Sequence, residues 1–196
     1  MNVTKYRLKI VFTEPVLGTQ PQKDVATEFL AGKVEETKNG LPSDELETLP
    51  EMLEKGTTAF HKLDGSPIYY DYMVKGFLKE AGGVFNGLRN VKNLKSKIDN
   101  LVFVSPRRIP LVLPSGGELT YCERPLRAMT AQGPRTSLAR SEELPVGTRL
   151  ECDIDIYDGP ISEPLLRDLL SYGARKGLGQ WRNGGKGRFE FELEEA

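Results

Sequence analysis

The sequence predicts an α+β fold, an antiparallel sheet backed by helices. Three observations carry this. Apolar and polar residues alternate with period two in three separated segments, YRLKIVF at 6–12, LECDIDIY at 150–157 and RFEFELE at 188–194. Between the first two lies a segment from Asp71 to about Arg89 with the helical spacing i, i+3, i+4, i+7. Between the last two lies a second helix, at 163–172, opened by the Ser162 cap and by Pro164 in its first turn.

The elements follow in order. Pro15, Gly18 and Pro21 end the first strand in a loop, and 25–30 reads as a short helix. Residues 33–57 are polar and acidic, with Asn39-Gly40 and Pro42, and read as an insertion into a single domain covering 1–196. Residues 60–70 form a hairpin around the Asp64-Gly65 turn. Asp71 caps the helix that follows. Its buried stripe is Met73, Val74, Phe77, Leu78, Ala81, Val84, Phe85 and Leu88. Gly82 and Gly83 weaken it by roughly 1 kcal/mol each relative to alanine. A short strand is expected at 101–104. A hairpin of 111–113 with 119–121 is expected around the 114–117 turn. Residues 125–134 read as an irregular basic loop, 138–142 as a strand, and 145–148 as a turn into the long strand at 150–157.

Composition narrows the chemistry. The chain has 196 residues, 38 % of them apolar, which suffices for a core. There is no apolar run long enough for a membrane-spanning helix, and MNVTKYRLKIVF lacks the apolar stretch of a secretory signal. A cytoplasmic protein is expected. Two cysteines, Cys122 and Cys152, exclude a disulfide scaffold and a four-cysteine zinc site. A single histidine, His61, excludes multi-histidine metal sites. No metal and no cofactor is expected, and no residue is assigned a catalytic role.

The net charge is −1, but the charges are segregated. From Glu35 to Lys55 there are seven acids and two bases. From Asn86 to Arg108 there are six bases and one acid, and from Arg167 to Arg188 again six and one. Arg124, Arg127, Arg135, Arg140 and Arg149 punctuate the stretch between. The acidic insertion thus offsets a basic remainder, which is either a solvated face or a surface for phosphates.

The most distinctive segment is GARKGLGQWRNGGKGRF at 173–189. Its glycines, including Gly177, Gly179, Gly184, Gly185 and Gly187, allow close backbone approach and positive φ. Its cations, Arg175, Lys176, Arg182, Lys186 and Arg188, supply charge. Trp181 supplies a stacking face or a core side chain. The spacing is that of neither a P-loop nor a dinucleotide fingerprint. Read as function, it is a phosphate-binding loop; read as structure, it is a set of turns. Further cations that could follow a nucleic-acid backbone are Lys75, Arg107, Arg108, Arg124, Arg127, Arg135 and Arg140. Tyr69, Tyr70 and Tyr72 could stack on bases or pack in the core.

A helix, a glycine- and arginine-rich loop and a closing strand together resemble the signature region of the RAMP superfamily, the RNA-binding proteins of CRISPR effector complexes. Two further segments agree in order. TAQGPRTSLARSEELPVGTRLECDIDI is similar to the family stretch in which a basic loop leads to a strand, a glutamate and a Pro-x-Gly-Thr turn, here Glu143, Pro145, Gly147 and Thr148. PIYYDYMVKGFLKEAG is similar to the segment that enters a helix with a Lys-Gly pair, here Lys75 and Gly76. The matched segments cover 67–85 and 124–194, and the nearest likeness is to the subunits that coat guide RNA. The chain also looks like proteins encoded in prophages.

The resemblance implies a ferredoxin-like, RRM-type domain. It also implies non-catalytic binding of single-stranded nucleic acid, with RNA favoured and DNA left open, and homo- or hetero-oligomers in a nucleoprotein complex. The chain departs from the family after the first strand, where it has PVLGTQPQKD in place of a glycine-rich, often His-containing loop. Asp24 is the only acid there and its surroundings do not match, so target cleavage is not carried over. Two alternatives stay open: a metal-independent endoribonuclease, with His61 as a base, and an interaction protein that mimics or blocks a subunit.

Overall fold

The computed structural model describes residues 2–21, 57–130 and 133–196. Most of the acidic insertion, the helix expected at 25–30 and Asp24 lie outside the described residues.

The chain opens with β1 (Val3–Phe12), whose alternation is realised: Tyr6, Leu8, Ile10 and Phe12 are buried, while Lys5, Lys9 and Val11 face the other way. Short strands β2 (Val16–Leu17), β3 (Gln20–Pro21) and β4 (Thr57–Ala59) follow. Then come β5 (His61–Leu63) and β6 (Ser66–Tyr70), joined by a turn in which Asp64 and Gly65 both have positive φ. Helix α1 spans Asp71–Val84 and α2 spans Leu94–Leu101. Strands β7 (Val102–Ser105), β8 (Arg108–Pro110), β9 (Thr120–Thr130), β10 (Gly133–Leu144) and β11 (Arg149–Tyr157) come next. Helix α3 (Glu163–Lys176) and β12 (Phe189–Glu195) close the chain.

The main sheet has the order β12-β1-β11-β7, antiparallel throughout. Its strands form a β-α-β-β-α-β passage, with α1 and α2 linking β1 to β7 and α3 linking β11 to β12. The α+β class is therefore the one the alternating segments predict. One sheet face is dry: Leu8, Ile10, Leu150 and Ile154 meet Leu166 and Leu170 of α3 and Val74 and Leu78 of α1, all within one core. Each such side chain contributes about 1.5–3 kcal/mol through burial. The connection from β7 to β11 carries β8 and the long β9–β10 hairpin. That hairpin joins β2, β3 and β4 in a second sheet, and β5, β6 and β8 form a third.

Several expectations are corrected. Residues 111–113 do not pair with 119–121: Val112 bridges Arg149, and the 120–130 strand pairs with 133–143. The segment expected as an irregular loop at 125–134 belongs to that hairpin, apart from 131–132, which lie outside the described residues. The ladder carries Pro125 opposite Leu138 and Pro134 opposite Met129. Helix α1 stops at Val84 rather than near Arg89. Its N-cap is Tyr70, and the Asp71 carboxylate accepts from the Tyr72 backbone N–H (2.7 Å). Ser162 is the N-cap of α3 but makes no side-chain capping bond. Helix α3 runs on through Lys176, so Gly173 is a helical residue and not part of the loop.

Gly82 and Gly173 stand where helices touch. A Cβ on Gly82 would lie 2.5 Å from Ile98 Cδ1, and one on Gly173 2.3 Å from Phe77 Cε2. The helical propensity lost is thus exchanged for close packing. Gly173→Ala is expected to destabilise by about 1–3 kcal/mol through overpacking, read as a lower melting temperature.

Candidate nucleic-acid interface

The loop from Gly177 to Arg188 is closely packed upon itself and upon β2. Leu178 N–H donates to Gly187 O (2.9 Å), Gly187 N–H to Pro15 O (2.9 Å) and Gln180 N–H to Leu17 O (3.4 Å). A Cβ on Gly187, whose φ is +72°, would lie 1.8 Å from Leu178 O; one on Gly177 would lie 2.4 Å from Lys186 O. A Cβ on Gly179 would lie 2.7 Å from Leu17 O, above the buried Tyr69 hydroxyl. These glycines admit neighbouring backbone, and the structure supplies that neighbour from the chain itself. Gly185 has positive φ with nothing closer than 3.9 Å.

The base of the β9–β10 hairpin holds this loop. Gln180 Oε1 accepts from Thr58 Oγ1 (3.0 Å), Ser141 Oγ (2.9 Å) and Arg124 Nη2 (3.0 Å). Arg124 is only 6 % exposed; it also donates to Ser141 Oγ (3.2 Å), and its guanidinium lies over the Trp181 ring at 5.0 Å. A Cβ on Gly184 would sit 2.7 Å from Trp181 Cε2. The indole is therefore packed against Gly184 and Arg124 and is 42 % exposed. Its geometry suits a platform for Arg124 better than a platform for a base. Lys186 pairs with Glu143 (2.6 Å) and Arg182 with Glu80 (2.6 Å), two further ties from loop to body. Lys176 donates to Asn183 Oδ1 (3.3 Å).

The cations singled out in the sequence thus divide by partner. Lys75 is turned to the far edge of the sheet, donating to Asp99 O (2.7 Å) and lying over the Phe103 ring. Asp99 is surrounded by lysines, and the bond from Lys79 holds its carboxyl below the ordinary carboxylate range. Arg140 stacks on Tyr121 at 4.0 Å and lies 3.6 Å from Glu123. Arg127 and Arg135 stand opposite Thr136 and Ala128 in the hairpin register. Arg107 pairs with Asp71. Arg108, Arg175 and Arg188 are exposed and have no carboxylate partner among the described residues.

Two of these three are brought together with an arginine the sequence reading did not select. At one end of the main sheet the backbones of Arg188, Phe12–Thr13, Thr148–Arg149 and Val112 run side by side. The bonds are Thr13 N–H to Arg188 O (2.9 Å), Phe12 N–H to Thr148 O (2.9 Å) and Arg149 N–H to Val112 O (2.8 Å). Arg149, Arg175 and Arg188 line a cleft of about 1460 Å³ there, together with Lys9 and the acids Glu151, Glu190 and Glu192. Arg149 is exposed and has no carboxylate partner among the described residues. Its signal lay in the Pro-x-Gly-Thr turn: the residue after Thr148 begins β11 at the sheet end.

The solvent face of the main sheet has a different character. Lys5, Arg7 and Lys9 of β1 lie between Asp155, Asp153 and Glu151 on one side and Glu194 and Glu192 on the other. Ion pairs join Lys5 to Asp155 (3.8 Å), Arg7 to Asp153 (3.2 Å) and Lys9 to Glu194 (3.5 Å). The acids outnumber the bases on these strands, and Glu151 and Glu192 of this face also border the arginine cleft.

His61 packs edge-on against Tyr70 at 4.7 Å, and burial holds its imidazole below its ordinary value. The Cys152 thiol is buried and pushed up to about 12. Among the described residues no three His, Cys, Asp or Glu side chains gather into a metal-holding group, and no helix is long and apolar enough to cross a membrane.

No family model and no curated protein sequence matches the chain. Solved structures do. A chain of the type III-B Cmr-beta complex, whose cryo-EM structure is bound to cognate target RNA, matches with a TM-score of 0.55 at 11 % identity. The match covers 98 % of this chain and 60 % of that one, so this chain spans well under two thirds of its neighbour's length. A chain of a type IV-B CRISPR complex matches with a TM-score of 0.49 at 14 % identity, covering 97 % of this chain and 90 % of that one. At 11 % identity the likeness to the Cmr-beta chain is one of fold.

Proposed function

We propose that this protein is a non-catalytic, RAMP-type subunit that binds single-stranded RNA in a nucleoprotein complex. The observation that carries the reading is the trio Arg149, Arg175 and Arg188. They stand exposed around one cleft at the sheet end, with no carboxylate partner among the described residues. Exposed guanidinium groups of this kind suit bidentate contact with phosphate oxygens. Two further features support it. The strand order β12-β1-β11-β7 over helical crossovers fits a ferredoxin-like, RRM-type core, and the fold neighbour belongs to an RNA-bound CRISPR complex. In this reading the glycine loop acts as a rigid strut that sets Arg175 and Arg188 beside Arg149.

The test is binding of a labelled single-stranded RNA of about 30 nucleotides, longer than the site of one small domain, followed by recovery of that RNA. Saturable binding with the RNA recovered intact in EDTA is expected. A defined cleavage product in EDTA would instead support the endoribonuclease alternative.

A further inference from the structure

The start of α1 carries an aromatic cluster that the cleft does not use. Tyr70 and Tyr72 are stacked, with ring centroids 5.5 Å apart and planes 13° from parallel. Tyr70 covers one face of Tyr72, and Tyr72 is 49 % exposed. His61 meets Tyr70 edge-on, with ring centroids 4.7 Å apart. The Arg107 guanidinium lies 5.3 Å from the Tyr70 centroid and 5.4 Å from that of Tyr72.

The cluster is held in place. Asp71 N–H donates to Arg107 O (3.1 Å), and the Asp71 carboxylate accepts from the Arg107 guanidinium. Arg107 therefore cannot swing away from the rings without breaking an ion pair. Arg108 stands directly opposite Tyr70 in the β6–β8 register, so the two side chains share a face. It is exposed and has no carboxylate partner among the described residues. The segment from β8 leads to Val112, which bridges Arg149, so this cluster and the arginine cleft are linked along one short stretch of chain.

An exposed ring backed by a second ring and flanked by guanidinium groups has a specific use. The π-face accepts a flat aromatic ligand, the backing ring fixes the platform, and the free cation takes an adjacent anion. A nucleotide supplies both parts. We propose that Tyr72 is a stacking subsite for one base of a bound single strand, with Arg108 on the adjoining phosphate and Arg107 holding the platform. The proposal rests on the RNA-binding reading and assigns a base-contacting site to it.

The test compares Tyr72→Ala and Tyr72→Phe with the unaltered protein on two strands of equal length, one bearing bases and one abasic throughout. One stacked base predicts that Tyr72→Ala loses about fivefold or more on the base-bearing RNA. It should lose nothing on the abasic strand, and Tyr72→Phe should keep the affinity. Equal affinity of Tyr72→Ala and unaltered protein for the base-bearing RNA would overturn the subsite. So would an equal loss on both strands. Failure of the unaltered protein to bind any RNA is a different result: it removes the reading beneath the subsite, and the subsite with it. Tyr72 is half-exposed but stacks on Tyr70 and Arg107, so Tyr72→Phe should keep the melting temperature and Tyr72→Ala should lower it slightly while the protein stays folded.

Discussion

Replacing Arg149, Arg175 and Arg188 together by alanine is expected to weaken single-stranded RNA binding by about 1000-fold or more, since hydrogen bonds to charged groups contribute about 1.5–3 kcal/mol each. The salt dependence carries more information than the affinity. Each phosphate neutralised on a single strand adds about 0.7 to the slope of log K against log salt. Three lost contacts should therefore flatten that slope by roughly 2. The fold should be unaffected, because none of the three side chains has an ion-pair partner among the described residues. Changing Arg182 and Lys186 gives the contrasting result. Their charges already meet Glu80 and Glu143, so their loss should reduce stability more than the salt slope. An unchanged slope in the triple variant would place the RNA elsewhere.

Gly187→Ala is expected to destabilise the protein by about 3–5 kcal/mol, lowering the melting temperature on the order of 10 °C. Two costs add. The residue sits at φ +72°, where a side chain costs about 1–2 kcal/mol. The new Cβ would also meet a backbone oxygen, Leu178 O, at 1.8 Å, which a rotamer change cannot relieve. Gly185→Ala isolates the first cost: its φ is +87° but nothing lies closer than 3.9 Å, so a loss of about 1 kcal/mol is expected. The pair separates two uses of glycine. If Gly187 were there to admit a phosphate, Gly187→Ala would show only the first cost, like Gly185→Ala, and would fail mainly in binding.

The main sheet was legible because its strands bury one face. In β1, β11 and β12 the alternation of Leu8, Ile10, Leu150, Ile154 and Leu193 with charged residues is the burial pattern itself. The β9–β10 hairpin was legible only as a strand at 138–142. Its prolines and arginines break the alternation, and its order comes from an eleven-rung ladder with the partner strand. Helix α2 escaped notice because it is short and buries only Leu94 and Ile98. The glycine loop was visible as a motif, but its meaning was not. Composition cannot distinguish a glycine that admits a phosphate from one that admits Leu178 O. Nor can it show that Lys186 faces Glu143 while Arg188 faces none, since those partners are 43 residues apart or absent among the described residues. Arg149 joins the arginine cleft only because β11 lies beside β1 and Val112.

The most direct measurement is fluorescence anisotropy of a labelled single-stranded RNA of about 30 nucleotides titrated with the unaltered protein across a salt series. Saturable binding that weakens steeply and linearly on logarithmic axes as salt rises is the result expected from the exposed arginines. No binding at the lowest salt would contradict it, and would leave the likeness to RNA-bound complexes as one of fold alone.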